Sequence, residues 1–158
     1  MAWTDPPKTW SPGETVTAEM MNVHIRDQLN VLASAKAIIA TFGAVGASLA
    51  TGWLGAIYVP FAYRINSWQI AASSTCSVTI HIRTLSQANM ELYSGQDGYG
   101  TEISGTDKPT LSAEKAAQDT SLSGWSVTDI PAGRWLTFAA DSVSGAEQVM
   151  ISLGITVR

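Results

Sequence analysis

The hydrophobic pattern of this chain changes its period once, near residue 39. Before that point, Met21, Ile25, Leu29 and Leu32 recur at spacings of four, four and three residues, which places them on one face of a helix. After it, apolar residues recur at every second position, as in residues 149–157. A side-chain period of two is typical of strands with one buried face. The sequence therefore predicts one short helix followed by a mainly β domain.

The predicted strands are short and numerous. Residues 76–83 and 149–157 show the clearest alternation of apolar and polar side chains. Weaker strand candidates cover residues 37–42, 53–59, 64–71, 90–93, 122–127 and 135–140. Residues 108–119 are predicted to form a long connection with a helical turn at 112–118. Many short strands separated by Gly, Pro and Asn clusters favour an antiparallel, jelly-roll-like β-sandwich over residues 37–158.

An extended arm is predicted for residues 1–17. Pro6 and Pro7 lie between Trp3 and Trp10, and Pro restricts both its own backbone and that of the residue before it. A helix is therefore excluded there, although two large apolar rings are available for contact. The arm docks either on its own domain or on a neighbouring protein. In the second interpretation, Trp3, Pro6, Pro7 and Trp10 anchor the chain.

A helix is predicted from Ala18 to about Lys36, and with the arm it forms an N-terminal unit over residues 1–36. Thr17 is a suitable N-cap, and Glu19 lies in the first turn, where the helix dipole favours negative charge. The stripe formed by Met21, Ile25, Leu29 and Leu32 needs a partner, because propensity alone barely sustains a helix of this length. It packs either on the β-sandwich or on other copies of the chain, where it forms an oligomer interface.

Composition excludes several classes of protein. Lys and Arg number 9 against 13 acidic residues, so there is no basic field for nucleic acid. The apolar-leaning residues 37–50 are interrupted and shorter than the roughly 20 residues that a bilayer core requires. The single Cys76 excludes an internal disulfide and is expected to be a small buried residue.

The sequence offers little material for catalysis. It contains two His residues, His24 and His81, and no nucleophile-elbow motif, paired metal ligands or phosphate-binding fingerprint. We therefore expect a non-enzymatic protein with no cofactor, no catalytic residues and no metal site. Tyr93, Tyr99 and Trp125 are candidates for stacking on a glycan, although packing in a core or interface is the favoured interpretation.

The low content of charged residues, 14% of the chain, indicates covered surfaces. Edge strands usually carry Lys and other charges that prevent pairing with a second chain. Only four Lys occur in the whole sequence. We therefore expect the faces or edges of the β domain to contact other subunits.

Two parts of the sequence resemble tailed-bacteriophage virion structural proteins of the tail-fibre and minor structural type. Residues 9–32, TWSPGETVTAEMMNVHIRDQLNVL, resemble the N-terminal segment of such proteins, with Gln28 in place of the usual Asn. Residues 52–72, 104–125 and 130–158 resemble a phage β-sandwich domain. Arg134 stands where the family usually has Asp, and residues 81–83 also depart from its pattern. The resemblance covers nearly the whole chain.

The resemblance implies a homotrimeric virion component that is made in the host cytoplasm. Its partners would be other virion proteins of the capsid, the portal and neck, or the tail, with a host surface glycan as a further ligand. Two functions are open: a fibre- or spike-like attachment docked through the arm, and a capsid decoration or cement protein that clamps shell subunits. A polysaccharide-degrading tailspike enzyme is the third and least favoured hypothesis.

Overall fold

The computed structural model describes Thr15, Thr17 and residues 36–93 and 100–158. In these residues the strands are β1 (Lys36–Gly43), β2 (Gly52–Val59), β3 (Tyr63–Leu85), β4 (Thr101–Glu102), β5 (Thr110–Asp119), β6 (Asp129–Ile130), β7 (Arg134–Ser144) and β8 (Gln148–Val157). One short helix, α1 (Gln87–Leu92), follows β3. The prediction of a mainly antiparallel β domain is confirmed.

The long strand β3 connects the whole fold. The main strand order is β1-β8-β3-β7-β2, and all pairings are antiparallel. Residues 63–72 of β3 pair with β8, whereas residues 77–85 pair with β7. The opposite edge of β3 pairs in turn with β6, β5 and β4. We call β1, β8 and the first half of β3 the first sheet, and the second half of β3, β7 and β2 the second sheet.

The two sheets pack face to face around one apolar core. The rings of Phe42 on β1 and Phe138 on β7 lie 5.3 Å apart between centroids. A side chain at Gly55 on β2 would lie 3.1 Å from Phe42, so the glycine allows the two edge strands to approach closely. Ile80 on β3 and Ile151 on β8 are fully buried between the sheets. This arrangement is the predicted jelly-roll-like sandwich.

The chain changes sheets in the middle of β3. Five successive residues, 71–75, are exposed or half-buried, and they interrupt the alternation that holds on both sides of them. The register with β5 also shifts between Ala71 and Cys76. Because residues 71–75 are all small and include no Gly or Pro, the strand stays extended through this corner. The prediction of two separate strands at 64–71 and 76–83 is therefore wrong in one respect, since they are halves of a single strand.

Residues 90–93 form no strand, contrary to the prediction. They overlap helix α1, which begins after the N-cap Ser86, whose hydroxyl accepts a hydrogen bond of 3.2 Å from the Asn89 N–H. The Gln87 amide donates to the Glu91 carboxylate one turn later, at 3.1 Å. Local capping and side-chain pairing of this kind favour a helical turn over a strand.

The helical turn predicted at residues 112–118 is also wrong, because these residues belong to strand β5. Their composition favours a helix, but pairing with both halves of β3 keeps the backbone extended. The irregularity is concentrated at Ala113, whose φ is +55°.

The strand predicted at residues 122–127 does not form. Leu122 has a φ of +46°, and the segment is held by the Trp125 indole, which donates to the Asp107 carbonyl at 2.8 Å. The clear prediction at residues 149–157 and the weaker ones at 37–42, 53–59 and 135–140 match β8, β1, β2 and β7.

Candidate interaction surface

On the outer surface of the first sheet and the adjoining end of β5, three rows of side chains cross the strands. Residues paired directly across antiparallel strands lie on the same face of a sheet. The register therefore gives the rows Ala37, Gly154 and Ser67; Ile39, Ser152, Gln69 and Gln118; and Thr41, Met150, Ala71 and Ala116. We call these eleven residues the uncharged face.

No charged side chain lies in these rows. The face combines small or neutral polar residues with two exposed large apolar ones, Ile39 at 58% and Met150 at 42% exposure. A solvated face of an antiparallel sheet normally carries polar and charged side chains. The absence of charge therefore distinguishes this face from an ordinary wet surface.

Three shallow depressions mark the same face. The first, of about 290 Å³, lies between β3 and β5 and is lined by Gln69, Ala71, Ala116, Gln118 and Met150, among others. The second, of about 470 Å³, lies around the first row and the start of β1 at Lys36. The third, of about 280 Å³, lies beside Thr41 and Met150. Apart from Lys36, which lines the second depression, all the residues around the three depressions are uncharged.

An ion-pair cluster bounds the uncharged face at one end. The Arg64 Nη2 atom lies 2.8 Å from Asp129 Oδ2, and the Arg158 Nη2 atom lies 2.7 Å from Asp129 Oδ1. Next to them, the Asn66 amide donates to the Thr156 hydroxyl at 2.8 Å. These side chains are about half exposed, so the cluster forms a solvated rim.

The second sheet has a contrasting outer surface, which carries a connected charged network. His81 Nδ1 lies 2.5 Å from Asp141 Oδ1, and Lys108 Nζ lies 2.8 Å from Asp141 Oδ2. Lys108 also contacts Glu102 at 3.3 Å, and Glu102 contacts Arg83 at 3.7 Å. Partial burial alone would raise the pKa of Asp141, but hydrogen bonds from Lys108 and His81 outweigh it and hold that pKa below its usual range.

The His81–Asp141 pair has two members of a catalytic triad, yet its surroundings favour a structural role. The His81 side chain is only 8% exposed, so a substrate in solution has little access to its ring. The pair joins β3 to β7 on the outer side of the second sheet. Among residues 36–93 and 100–158, no three His, Cys, Asp or Glu side chains are grouped to hold a metal ion.

A second exposed apolar surface lies at the edge strand β2. Trp53 is 50% exposed, and Tyr58 is 48% exposed. The Tyr58 ring lies 5.3 Å from the Trp135 ring, whose indole donates to the Gln87 side chain at 2.8 Å. Of the aromatic residues considered for glycan binding, Trp125 is buried and Tyr93 half-buried. Tyr99 lies outside the described residues.

The predicted anchor and oligomer residues lie outside the part of the chain that the structure describes. This applies to the anchor residues Trp3, Pro6, Pro7 and Trp10 and to the stripe residues Met21, Ile25, Leu29 and Leu32. The predicted helix and most of the predicted arm also lie outside the described residues, as do residues 94–99. The prediction that Cys76 is buried is confirmed, and this burial raises the pKa of its thiol.

Sequence reasoning did not identify the uncharged face, although a signal was present. Met150 occupies the polar phase of β8, and Ile39 follows Ile38 in β1, where strict alternation would place a polar residue. Both are apolar residues on the outward side of a strand.

None of the described helices is long and apolar enough to cross a membrane.

The structural similarities of this chain to known proteins are distant. No protein-family model and no curated protein matches the chain. The capsid asymmetric unit of cyanophage Pam1 is 10% identical and superimposes with a TM-score of 0.38, covering 98% of this chain and 96% of that one. The structure of infectious bursal disease virus, Gx strain, is 10% identical with a TM-score of 0.21, covering 80% of this chain and 35% of that one. Both TM-scores are too low to establish a common fold or function.

Proposed function

We propose that this chain is a non-enzymatic structural protein of a tailed-bacteriophage virion, a homotrimeric surface attachment docked to the particle through its N-terminal arm. The uncharged face is the observation that carries the proposal. The resemblance of residues 9–32 and of the β domain to phage structural proteins supports the same conclusion from the sequence.

The contrast between the two outer surfaces supports a covered first sheet. Both sheets belong to one domain, yet Lys108, Asp141 and Glu102 form a charged network on the second, while the three rows of the first carry no charge. Exposed charges keep a surface soluble and discourage association. The charges of the first sheet lie at its end, at Arg64, Asp129 and Arg158, so the rows between them favour a protein neighbour, whereas the network on the second sheet favours solvent.

The arm supplies the proposed attachment to the particle. Trp3 and Trp10 offer large ring surfaces on a segment whose prolines restrict its backbone, which lowers the entropy lost on docking. A partner on the capsid, neck or tail would receive these rings. Trp and Tyr residues are typical anchors of protein interfaces.

Capsid decoration is the second candidate function. The described β domain is one sandwich without internal repeats, which favours a compact cover over a long shaft. In this alternative the trimer lies on the shell, and its arm clamps neighbouring shell subunits. The aromatic residues Trp53 and Tyr58 would then face solvent or a neighbouring shell protein.

Quantitative mass spectrometry and cryo-electron microscopy of purified particles test the proposal and distinguish the two functions. A few copies at the neck or tail support a fibre- or spike-like attachment, whereas hundreds distributed over the shell support decoration. Absence from purified particles would overturn the virion assignment. Release of reducing sugar from host capsule by the purified protein would overturn the non-enzymatic assignment.

A further inference from the structure

We infer that the apolar stripe of residues 18–35 in one copy of this chain packs across the uncharged face of a neighbouring copy. This inference rests on the proposed homotrimer and identifies its interface. Met21, Ile25, Leu29 and Leu32 form the stripe, and the outer rows of β1, β8, β3 and β5 receive it. The contact is therefore head to tail, with two different surfaces meeting.

The position at which the segment enters the β domain favours a neighbour over the chain's own face. Strand β1 begins at Lys36, next to the first row of the uncharged face. A helix that folds back over its own sheet needs a reversing connection of about 2–6 residues, commonly with Gly after the helix. Residues 18–35 contain no Gly or Pro. Between Leu32 and Lys36 only three residues, none of them Gly, remain for such a reversal, which is the short end of that range.

The stripe and the face agree in size. From Met21 to Leu32 a helix advances about 16 Å at 1.5 Å per residue. The four strands of the face span about 14 Å between the outermost axes at about 4.8 Å per strand. The three rows span about 13 Å along the strands at about 3.3 Å per residue. A helix 10–12 Å in diameter therefore covers most of the face.

The two surfaces also agree in chemistry. Ala37, Ala71, Ala116 and Gly154 leave room for large side chains, and the depressions beside Met150 and Gln69 are the places where the stripe would enter. No residue of the rows adds a charge that would have to be desolvated. The charged side of the predicted helix, with Glu19 and Arg26, would remain directed to solvent.

A head-to-tail contact also suits a closed ring. Cyclic assemblies with more than two subunits use heterologous interfaces, in which one surface of a subunit meets a different surface of the next. The stripe and the uncharged face are two such surfaces on one chain. Three copies joined in this way form a ring in which every stripe and every face is covered.

Site-directed cross-linking of the full-length protein tests the inference. In a Cys76→Ala background, one chain carries Ile25→Cys and a second, with a tag of different mass, carries Gln69→Cys. After co-expression and mild oxidation or a short bismaleimide, we expect a covalent heterodimer of tagged and untagged chains. The matched control replaces Gln69→Cys by Ser142→Cys, an exposed position on the outer side of β7, and should give no such product.

Each other result overturns the inference in a distinguishable way. A link that forms only within a single chain carrying both cysteines means that the helix covers its own face. Links between two Ile25→Cys chains alone mean a helix–helix interface. A trimer without any link to Gln69→Cys means that another protein covers the face. A monomer in light scattering instead contradicts the proposed homotrimer itself.

Discussion

His81 and Asp141 join the two longest strands of the second sheet, with Nδ1 of the imidazole 2.5 Å from Oδ1 of the carboxylate. Asp141 also receives a hydrogen bond of 2.8 Å from Lys108, on the connection before β5. One carboxylate therefore holds side chains from β3, β7 and the segment that leads into the edge strand. We interpret this junction as structural, since the imidazole is almost completely buried.

Replacing Asp141 by Ala should destabilise the domain by about 1–2 kcal/mol, since a charge-assisted hydrogen bond to a buried ring is lost. The expected loss of stability is modest because the Asp141 side chain is 35% exposed and solvent screens part of the interaction. Thermal unfolding at fixed protein concentration measures the change. The control is Asp129→Ala, whose ion pairs are about half exposed and should contribute less than about 1 kcal/mol. Equal losses in both variants would contradict the interpretation.

The same carboxylate predicts a dependence of stability on acid pH. The pKa of Asp141 in the folded protein lies below its usual value of 3.8, so the folded state binds this proton less readily than the unfolded state. Its contribution to stability is therefore complete above about pH 5 and is lost as the pH falls through the lower folded-state pKa. Melting temperatures of the wild type and Asp141→Ala should converge between about pH 5 and pH 2. If the difference in melting temperature between the wild type and Asp141→Ala grew as the pH fell, the pKa of Asp141 in the folded protein would have to lie above its usual value.

Strict alternation with one buried face is the pattern that identifies a strand most directly. In β8, the buried residues Val149, Ile151, Leu153 and Ile155 repeat every second position, and the pattern alone identifies the strand. Strand β5 lacks that pattern, because most of it is an exposed edge whose Ala, Glu, Lys and Gln residues favour a helix. Its backbone is fixed by long-range pairing with β3, which composition does not reveal.

The candidate surface was predictable only in its general character. Low charge indicated that some face is covered, but the register decides which residues share a row. Thr41, Met150, Ala71 and Ala116 come from four distant parts of the chain. Their common lack of charge is visible only after β1, β8, β3 and β5 are paired.

Gly105, in the loop that precedes β5, lies so close to the backbone at Gly124 that a larger residue should not fit. Gly105 has a φ of +52°, and a Cβ atom there would lie 2.1 Å from the Gly124 carbonyl oxygen. Gly105→Ala adds both left-handed strain and a backbone clash. Gly46→Ala is the matched control, because Gly46 has a φ of +87° but open space around it. In urea unfolding, Gly105→Ala should cost about 1–3 kcal/mol more than the control, as overpacking does. Equal losses of stability in Gly105→Ala and Gly46→Ala would show that a side chain at position 105 does not clash with the Gly124 backbone.

A charge on the uncharged face should prevent association without unfolding the domain. Met150 is 42% exposed in the single chain, so Met150→Glu should leave the melting temperature of the isolated subunit nearly unchanged. Covering the new carboxylate with a neighbour would bury an unpaired charge, which is costly. We expect at least a tenfold loss in association by analytical ultracentrifugation. Ser142→Glu, on the exposed outer side of the second sheet, is the control and should associate normally. Normal assembly of Met150→Glu would show that the face stays open to solvent.

Deleting residues 1–15 should separate attachment to the particle from folding. The described β domain begins at Lys36, and the described core residues run from Ile38 onward, so we expect the truncated chain to keep its circular dichroism spectrum and unfolding transition. Its occupancy on virions should fall to background, because Trp3 and Trp10 are removed with the arm. Complementation of a phage lacking this protein, followed by quantitative mass spectrometry of purified particles, measures the occupancy. A Trp3→Ala, Trp10→Ala variant of full length tests whether the rings or the mere length of the arm are needed. Incorporation of the truncated chain at wild-type levels would show that attachment depends on the β domain instead.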